Sequence, residues 1–202
     1  MMYYRTPDGE PTTKLAALIP QVINPQALTD VELAEYDVAR CAVVYPALEW
    51  WQQRGTRQID TSVTPHVITC AVEPRPIEDV RVLAWQRIKD ERDKRQRGLM
   101  PYTYPSGDTH HNEMTEKVLR DLNGQATGAL ILSSMGVADP VMPWTTHENI
   151  THHLTPAQML AFSMAALQWH SALHVHSQTI RAAIESALDI AGVVDVAVWP
   201  EA

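Results

Sequence analysis

Cysteine, glycine and positive charge are all scarce in this sequence, and each shortage excludes something. The two cysteines, Cys41 and Cys70, lie far apart in β-rich runs, "RCAVVY" and "VITCAV". They make neither a zinc knuckle nor a redox CxxC pair, and read as buried free thiols of a reducing compartment. Eight glycines against fourteen prolines, with 45% hydrophobic and 20% charged residues, describe a globular, loop-interrupted chain rather than a fibrous repeat or a disordered one. Sixteen Lys/Arg against 24 Asp/Glu give a net charge of −8, the wrong sign for a protein that coats nucleic acid. The most apolar stretches, near 126–137 and 157–167, are too short or too interrupted to cross a bilayer. The start, "MMYYRTPDGEP", has no basic n-region followed by an apolar h-region. The expectation is a soluble protein of cytoplasmic synthesis, with neither a membrane nor nucleic acid as direct partner.

Enzyme signatures are missing too. The sequence has no GxSxG, no glycine-rich phosphate loop, no GxGxxG and no HExxH. "GDTHHNE" (107–113) brings carboxylates and histidines together, but at no spacing that hydrolysis or metal binding demands. It reads as a hairpin end and a helix entry, where Asp, Thr and Asn are natural caps. No catalytic residue and no cofactor is expected.

What is present divides the chain in three: a β-rich module over 1–75, a charged connecting helix over 76–100, and a helical domain over 101–202. In the first, "MMYYR" before Pro7-Asp8-Gly9 reads as a strand entering a turn. Thr29 three residues before Glu32 makes a capping box for a short helix. "VARCAVVYP", "TRQIDTSV" and "PHVITCAVE" follow as strands, expected to form an antiparallel meander. In the second, Pro76 sits at a helix start, Glu78 and Asp79 in the first turn, and Gly98 at the stop. The apolar positions Ile77, Val80, Leu83, Ala84 and Ile88 end about two turns before that helix does, so its last part is expected to be solvated or partner-facing. Residues 81–97 carry seven Lys/Arg and three Asp/Glu.

The third part reads as hairpin, helix, hairpin, helix. "MPYTYPSGDTHH" turns about Pro105–Asp108 into a helix from about 113 to 135, ended by Gly136. Gly124 and Gly128 lie one turn apart within it, where missing side chains permit close approach, by internal packing or at an oligomer seam. "VMPWTTHENITHHL" turns near His147–Asn149. The longest helix follows, with Thr155 as N-cap, Pro156 at N1 and Gln158 at N3. "GVVDVAVWPEA" is expected to leave it as an extended tail.

Eight of the nine histidines fall at or beyond His110, which raises the question of a metal site. His152 and His153 are adjacent in an expected strand, so they leave opposite faces. Only His170 and His174 have ligand spacing, four apart on the long helix. They are weak metal candidates, because Met159, Phe162, Ala166, Leu173, Ile180 and Ile184 form the apolar stripe and His170 borders it.

With these pieces in order, the chain resembles a C-terminal domain of unknown function that recurs in tailed-bacteriophage tail proteins. The resemblance rests on "VRVLAWQRIKDERDKRQRGLMPYTYPSGDTHHNEMTEKVLRDL", "MPWTTHENITHHLTPAQMLAFSMAALQWHSALHVHSQTIRAAIESA" and "VWP". Trp144, Glu148, Asn149, Leu154, Thr155, His170 and Arg181 hold the matching places. Residues 15–50 resemble the opening of the same phage proteins more loosely, with Asp37 where those often have glycine. The resemblance implies a non-enzymatic virion protein of the tail, synthesised in the host cytoplasm, that attaches a fibre, belongs to the baseplate or decorates the tail. Its partners would be other tail or tail-fibre proteins and copies of itself, as a trimer in preference to a hexamer.

The alternatives are a tail-fibre assembly chaperone absent from the mature particle and, remotely, a metal-dependent hydrolase. The contact residues expected from the sequence are His170, Leu173 and Ser177 on the long helix, Gly124 and Gly128, and the basic run Arg92, Lys94, Arg95 and Arg97. The fold expected is α+β.

Overall fold

A computed structural model describes residues 1–7 and 9–199; Asp8 of the first expected turn and Pro200 of the tail fall outside them. The fold is mixed α+β, with a β-rich N-terminal region and a helical C-terminal part. The chain divides into two compact units, Met1–Pro76 and Ile77–Ala202.

The first unit is a four-stranded sheet in the order β1-β2-β4-β3, from β1 (Met2–Arg5), β2 (Val38–Val43), β3 (Gln52–Asp60) and β4 (His66–Pro74). It is not a meander. β1 runs antiparallel to β2 and β3 to β4, but β2 and β4 pair in parallel, Ala42 opposite Val67. The reason is burial: β4 buries Ile68 and Cys70 and takes an inner place, whereas no residue of β3, "QQRGTRQID", is fully buried. A polar strand tolerates an edge, so the chain lays down the edge first and returns to the middle.

Period-two alternation then sends Tyr3 and Tyr4 to opposite faces. Tyr3 and Val38 pack with Leu15 of the short helix α1 (Leu15–Leu18), Ile19 just after it and Leu33 of α2 (Asp30–Ala34), while Tyr4 packs with Cys41 and Ile68. α2 opens with the expected capping box between Thr29 and Glu32. Asp37 has φ +55°, a left-handed conformation that few side chains adopt readily. Both cysteines are free and buried.

The second unit starts with α3 (Ile77–Gln96), which packs along the long helix α5 (Pro156–Ser186) and the short α6 (Ile190–Val196). The charged helix therefore lies within this unit. Val80, Ala84 and Ile88, spaced four apart, bury one stripe. The Arg81 guanidinium donates to the Ala187 carbonyl at 2.7 Å, and that of Arg181 on α5 lies over the Trp85 ring at 5.3 Å.

One expectation fails here. The tail is not extended: Asp189 accepts from the Gly192 N–H at 2.8 Å and caps α6, whose Val193 is buried. Seven residues are too few to hold a helix alone, so packing forms it. Beyond Ile88, its last buried residue, α3 meets the tail. Trp199, just after α6, lies 5.3 Å under the Arg95 guanidinium and 4.9 Å from the His176 ring.

Between α3 and α5 the chain makes two hairpin-then-helix modules. β5 (Leu99–Thr103) and β6 (Thr109–Glu113) lead to α4 (Glu116–Ser134); β7 (Met142–Thr145) and β8 (Thr151–Leu154) lead to α5. Both helices are capped by threonine: Thr115 accepts from the Val118 N–H, and Thr155 accepts from the Gln158 N–H with Gln158 returning the bond. The core they share contains Met100, Tyr104, Met114, Leu122 and Ala129 from the first module, and Met142, Leu154, Met159, Phe162 and Ala166 from the second.

Thr155→Ala removes both halves of the α5 capping box and should destabilise the protein by about 1 kcal/mol. In urea unfolding the midpoint should fall with the slope unchanged.

Candidate functional site: the seam between two hairpins

The two hairpins are copies of one another at an offset of 42 residues. "MPYT" and "THH" of the first stand against "MPWT" and "THH" of the second. Thr103 and Thr109 bring their hydroxyls to 2.8 Å, and Thr145 and Thr151 to 2.9 Å. Tyr104 N–H donates to the Asp108 carbonyl at 2.8 Å, as Thr146 N–H does to Ile150 at 2.9 Å. Gly107 and Asn149, which correspond, both have positive φ, +92° and +60°, the region that glycine and asparagine enter most easily. Strand register, turn geometry and the threonine cap all repeat. The signal in the sequence is the pair of "MP-aromatic-T…THH" runs, which helix and strand patterning taken segment by segment does not connect.

A polar seam joins the copies. Asn112, buried on β6, accepts with one carboxamide oxygen from the Tyr104 hydroxyl at 2.7 Å and from Trp144 Nε1 on β7 at 3.0 Å. Two reciprocal histidine–glutamate pairs flank it. His111 Nδ1 lies 2.9 Å from Glu148 Oε1, and His147 Nδ1 lies 2.9 Å from Glu113 Oε1. The His111 N–H also donates to the Glu148 carboxylate, at 3.0 and 3.1 Å, while the His147 N–H donates to the His111 carbonyl at 2.9 Å.

Each hairpin thus gives the other one histidine and one carboxylate. The His152 ring stacks on Tyr104, centroids 3.7 Å apart and planes within 4°, and His110 lies 5.2 Å from His152. Beside the seam is a polar cleft of about 450 Å³ whose walls include Asn112, Lys117, Asp121, Trp144 and Asn149.

Electrostatics follow from these contacts. Desolvation pushes the Glu148 carboxyl upward, but hydrogen bonds from the His111 ring and N–H, its own backbone and Thr146 outweigh it and hold the group at about 2. Burial raises Tyr104 to about 12. Burial first, then the neighbouring His110, lowers His152; burial alone lowers His170. The carboxylates of the two histidine–glutamate pairs are thus committed to holding hairpins together. Among the described residues no group of three or more His, Cys, Asp or Glu is placed to hold a metal ion.

The residues singled out in the sequence go to other places. His170 is half-buried with its ring edge-on to Trp169, and His174 is exposed. Ser177 is fully buried and donates to the His174 carbonyl, while Leu173 is half-buried, so the side of α5 they occupy faces the core. Gly124 has open space where a Cβ would stand, and Gly128 only a 3.9 Å neighbour, Met142; the helix contact is made by Leu122 and Ala129. Of the basic run, Arg92 pairs with Asp93 at 2.7 Å, Arg95 with Glu91 at 2.7 Å and Lys94 with Glu91 at 3.8 Å, and Arg97 is exposed. His147, expected as a plain turn residue, proves to be half of a hydrogen-bonded histidine–glutamate clamp.

The match to the family described as "Domain of unknown function (DUF4376)" runs over residues 79–198, which takes in both hairpins and all of α4, α5 and α6. The chain belongs to this family. DUF4376 is known from phage proteins. No curated protein and no solved structure matches the chain significantly. Within the DUF4376 region, the residues that carried the resemblance have structural work: Trp144 bonds Asn112, Glu148 clamps His111, Asn149 turns the hairpin, Leu154 fills the core, and Thr155 caps α5.

Two measurements test the seam. Asn112→Ala strands the Tyr104 hydroxyl and Trp144 Nε1 without an acceptor and should cost about 2–4 kcal/mol in urea unfolding. For Glu148 the folded pKa lies below the unfolded one of about 4.3, so its stabilisation is complete above that range and is lost as pH falls toward about 2. The melting temperature of wild type should therefore drop more steeply with acid than that of Glu148→Gln between these values, and the two curves should converge at the acid end.

Proposed function

We propose that this chain is a non-enzymatic structural protein of a bacteriophage tail, acting through protein–protein contacts as a fibre-attachment, baseplate or tail-decorating component. It is synthesised in the host cytoplasm and carried in the virion. Membership of a family known from phage proteins supports the phage setting.

The observation that carries the contact role is the outward surface of the two module helices. From Leu122 to Ala138 and from Pro156 to Ile180 the chain contains no Asp, Glu, Lys or Arg, in a protein with 20% charged residues. Leu130, Ile131 and Met135 on that first stretch, and Met164, Leu167 and Val175 on the second, are nonetheless exposed. Single exposed apolar residues are ordinary, but exposed aliphatics on long charge-free helix faces mark surfaces that meet other proteins. The hairpin seam supports the same reading, because its carboxylates are spent on holding the scaffold.

Mass spectrometry of purified phage particles should find this chain at a fixed copy number relative to the other tail proteins. Its absence from particles, together with a complex with fibre protein in infected cells, would replace the virion role by that of an assembly chaperone.

A further inference from the structure

We propose that the polar cleft beside the hairpin seam is a saccharide-binding site, which takes a neutral pyranose sugar against Trp144, with Lys117, Asp121 and Asn149 bonding its hydroxyls. The inference goes beyond the protein–protein contact reading and does not rest on it.

Both modules build the cleft. Asn112 of β6 and Lys117 and Asp121 of α4 come from the first, Trp144 of β7 and Asn149 of the hairpin turn from the second. Its walls are held before any ligand arrives. Trp144 Nε1 donates to Asn112 at 3.0 Å and the indole meets the Phe162 ring at 5.2 Å, while the Asn149 N–H donates to the Thr146 carbonyl at 3.0 Å. The volume of about 450 Å³ lies within the roughly 300–1,000 Å³ of small-ligand sites, and fixed walls spare a ligand much of the cost of ordering them.

The lining selects the class of occupant. Val118, Pro143 and Trp144 are the only apolar side chains among the described residues that line the cleft, so an apolar ligand would strand the polar majority. An anion such as phosphate needs a cation to spare. Here Lys117 stands 3.9 Å from Asp121, and His147 Nδ1 lies 2.9 Å from Glu113 Oε1, so each basic group already faces a carboxylate. A metal ion needs several converging ligands, and no group of three or more His, Cys, Asp or Glu is so placed among the described residues.

A neutral, hydroxyl-rich ligand suits what remains. A pyranose ring has a face of C–H groups that stacks on an aromatic ring, and a rim of hydroxyls that both donate and accept. The cleft offers an indole, an ammonium that donates, a carboxylate that accepts and a carboxamide that does both. The Asp121 carboxylate and the Asn149 carboxamide make no hydrogen bond to other described residues, so their bonding capacity is open to a ligand.

The test titrates the full chain, followed in an assigned nitrogen–proton NMR spectrum, with methyl glucoside, methyl galactoside, N-acetylglucosamine, maltose and lactose in turn. At least one should shift the Trp144 indole N–H and the signals of Asp121 and Asn149, saturating with a dissociation constant in the millimolar range. Asn149→Gly keeps a residue that accepts the +60° φ and removes the carboxamide. That variant and Asp121→Ala, at an exposed position, should each weaken binding of the same sugar about tenfold, the worth of one or two hydrogen bonds, with far-UV circular dichroism unchanged. If one variant fails to fold, the other decides.

No shift with any of these sugars at tens of millimolar, shifts confined to residues away from the cleft, binding that the folded variants leave as in wild type, or displacement of the sugar by equimolar inorganic phosphate each overturn the proposal.

Discussion

The carboxamide of Asn112 is the constraint around which the second unit is arranged. It is buried, and its one oxygen receives a hydroxyl from its own hairpin and an indole N–H from the other. A buried carboxamide without partners would cost more than most single contacts contribute, so the two hairpins must meet in the one geometry that serves it. The flanking histidine–glutamate pairs then close in register, because each hairpin offers a histidine where the other offers a carboxylate. Apolar packing alone, through Met100, Met142 and Phe162, brings the modules together but tolerates sliding. The polar seam does not.

Holding the hairpins fixes the helices. Each hairpin runs within a few residues into a threonine-capped helix, so the seam sets where α4 and α5 begin, and the shared core sets how they lie together. α5 is long enough to serve two sets of neighbours: its first half joins the hairpin core, α3 and α6 also pack against it, and Ile180 and Ile184 are buried further along. What remains outside is the face opposite, which between Pro156 and Ile180 carries no Asp, Glu, Lys or Arg and exposes Met164, Leu167 and Val175 among polar residues. Charge is concentrated on α3, where most of it is consumed in ion pairs. The molecule therefore separates a polar joint that makes the scaffold rigid from apolar faces on which the proposed contacts are made.

Local signals were readable along most of the chain. Thr29 with Glu32 and Thr155 with Gln158 announce capped helices by spacing alone, and the turns at Gly107 and Asn149 follow from residues that accept positive φ. α6 was not readable: its seven residues have an aspartate cap but too little length, and it is held by packing of Val193. The parallel pairing of β2 with β4 was equally hidden, since strand propensity says nothing about which edge a polar strand such as β3 will occupy. At the candidate site, strand alternation sends His152 and His153 to opposite faces, and in the structure His152 stacks on Tyr104 while His153 is exposed. It could not show that His111 and His147 reach across to carboxylates some 37 and 34 positions away.

By itself the sequence determined most of the elements, their caps and turns, the α+β class and the likeness to a domain known from phage proteins, because each depends on residues within a turn or two of one another or on a pattern in linear order. Tertiary structure alone decided which edge of the sheet β3 takes, that two hairpins form a reciprocal seam, and that the end of the chain folds into α6. These are choices among partners distant in sequence. They are settled by burying the most apolar strand, by satisfying one enclosed carboxamide, and by spending the available carboxylates where histidines can reach them.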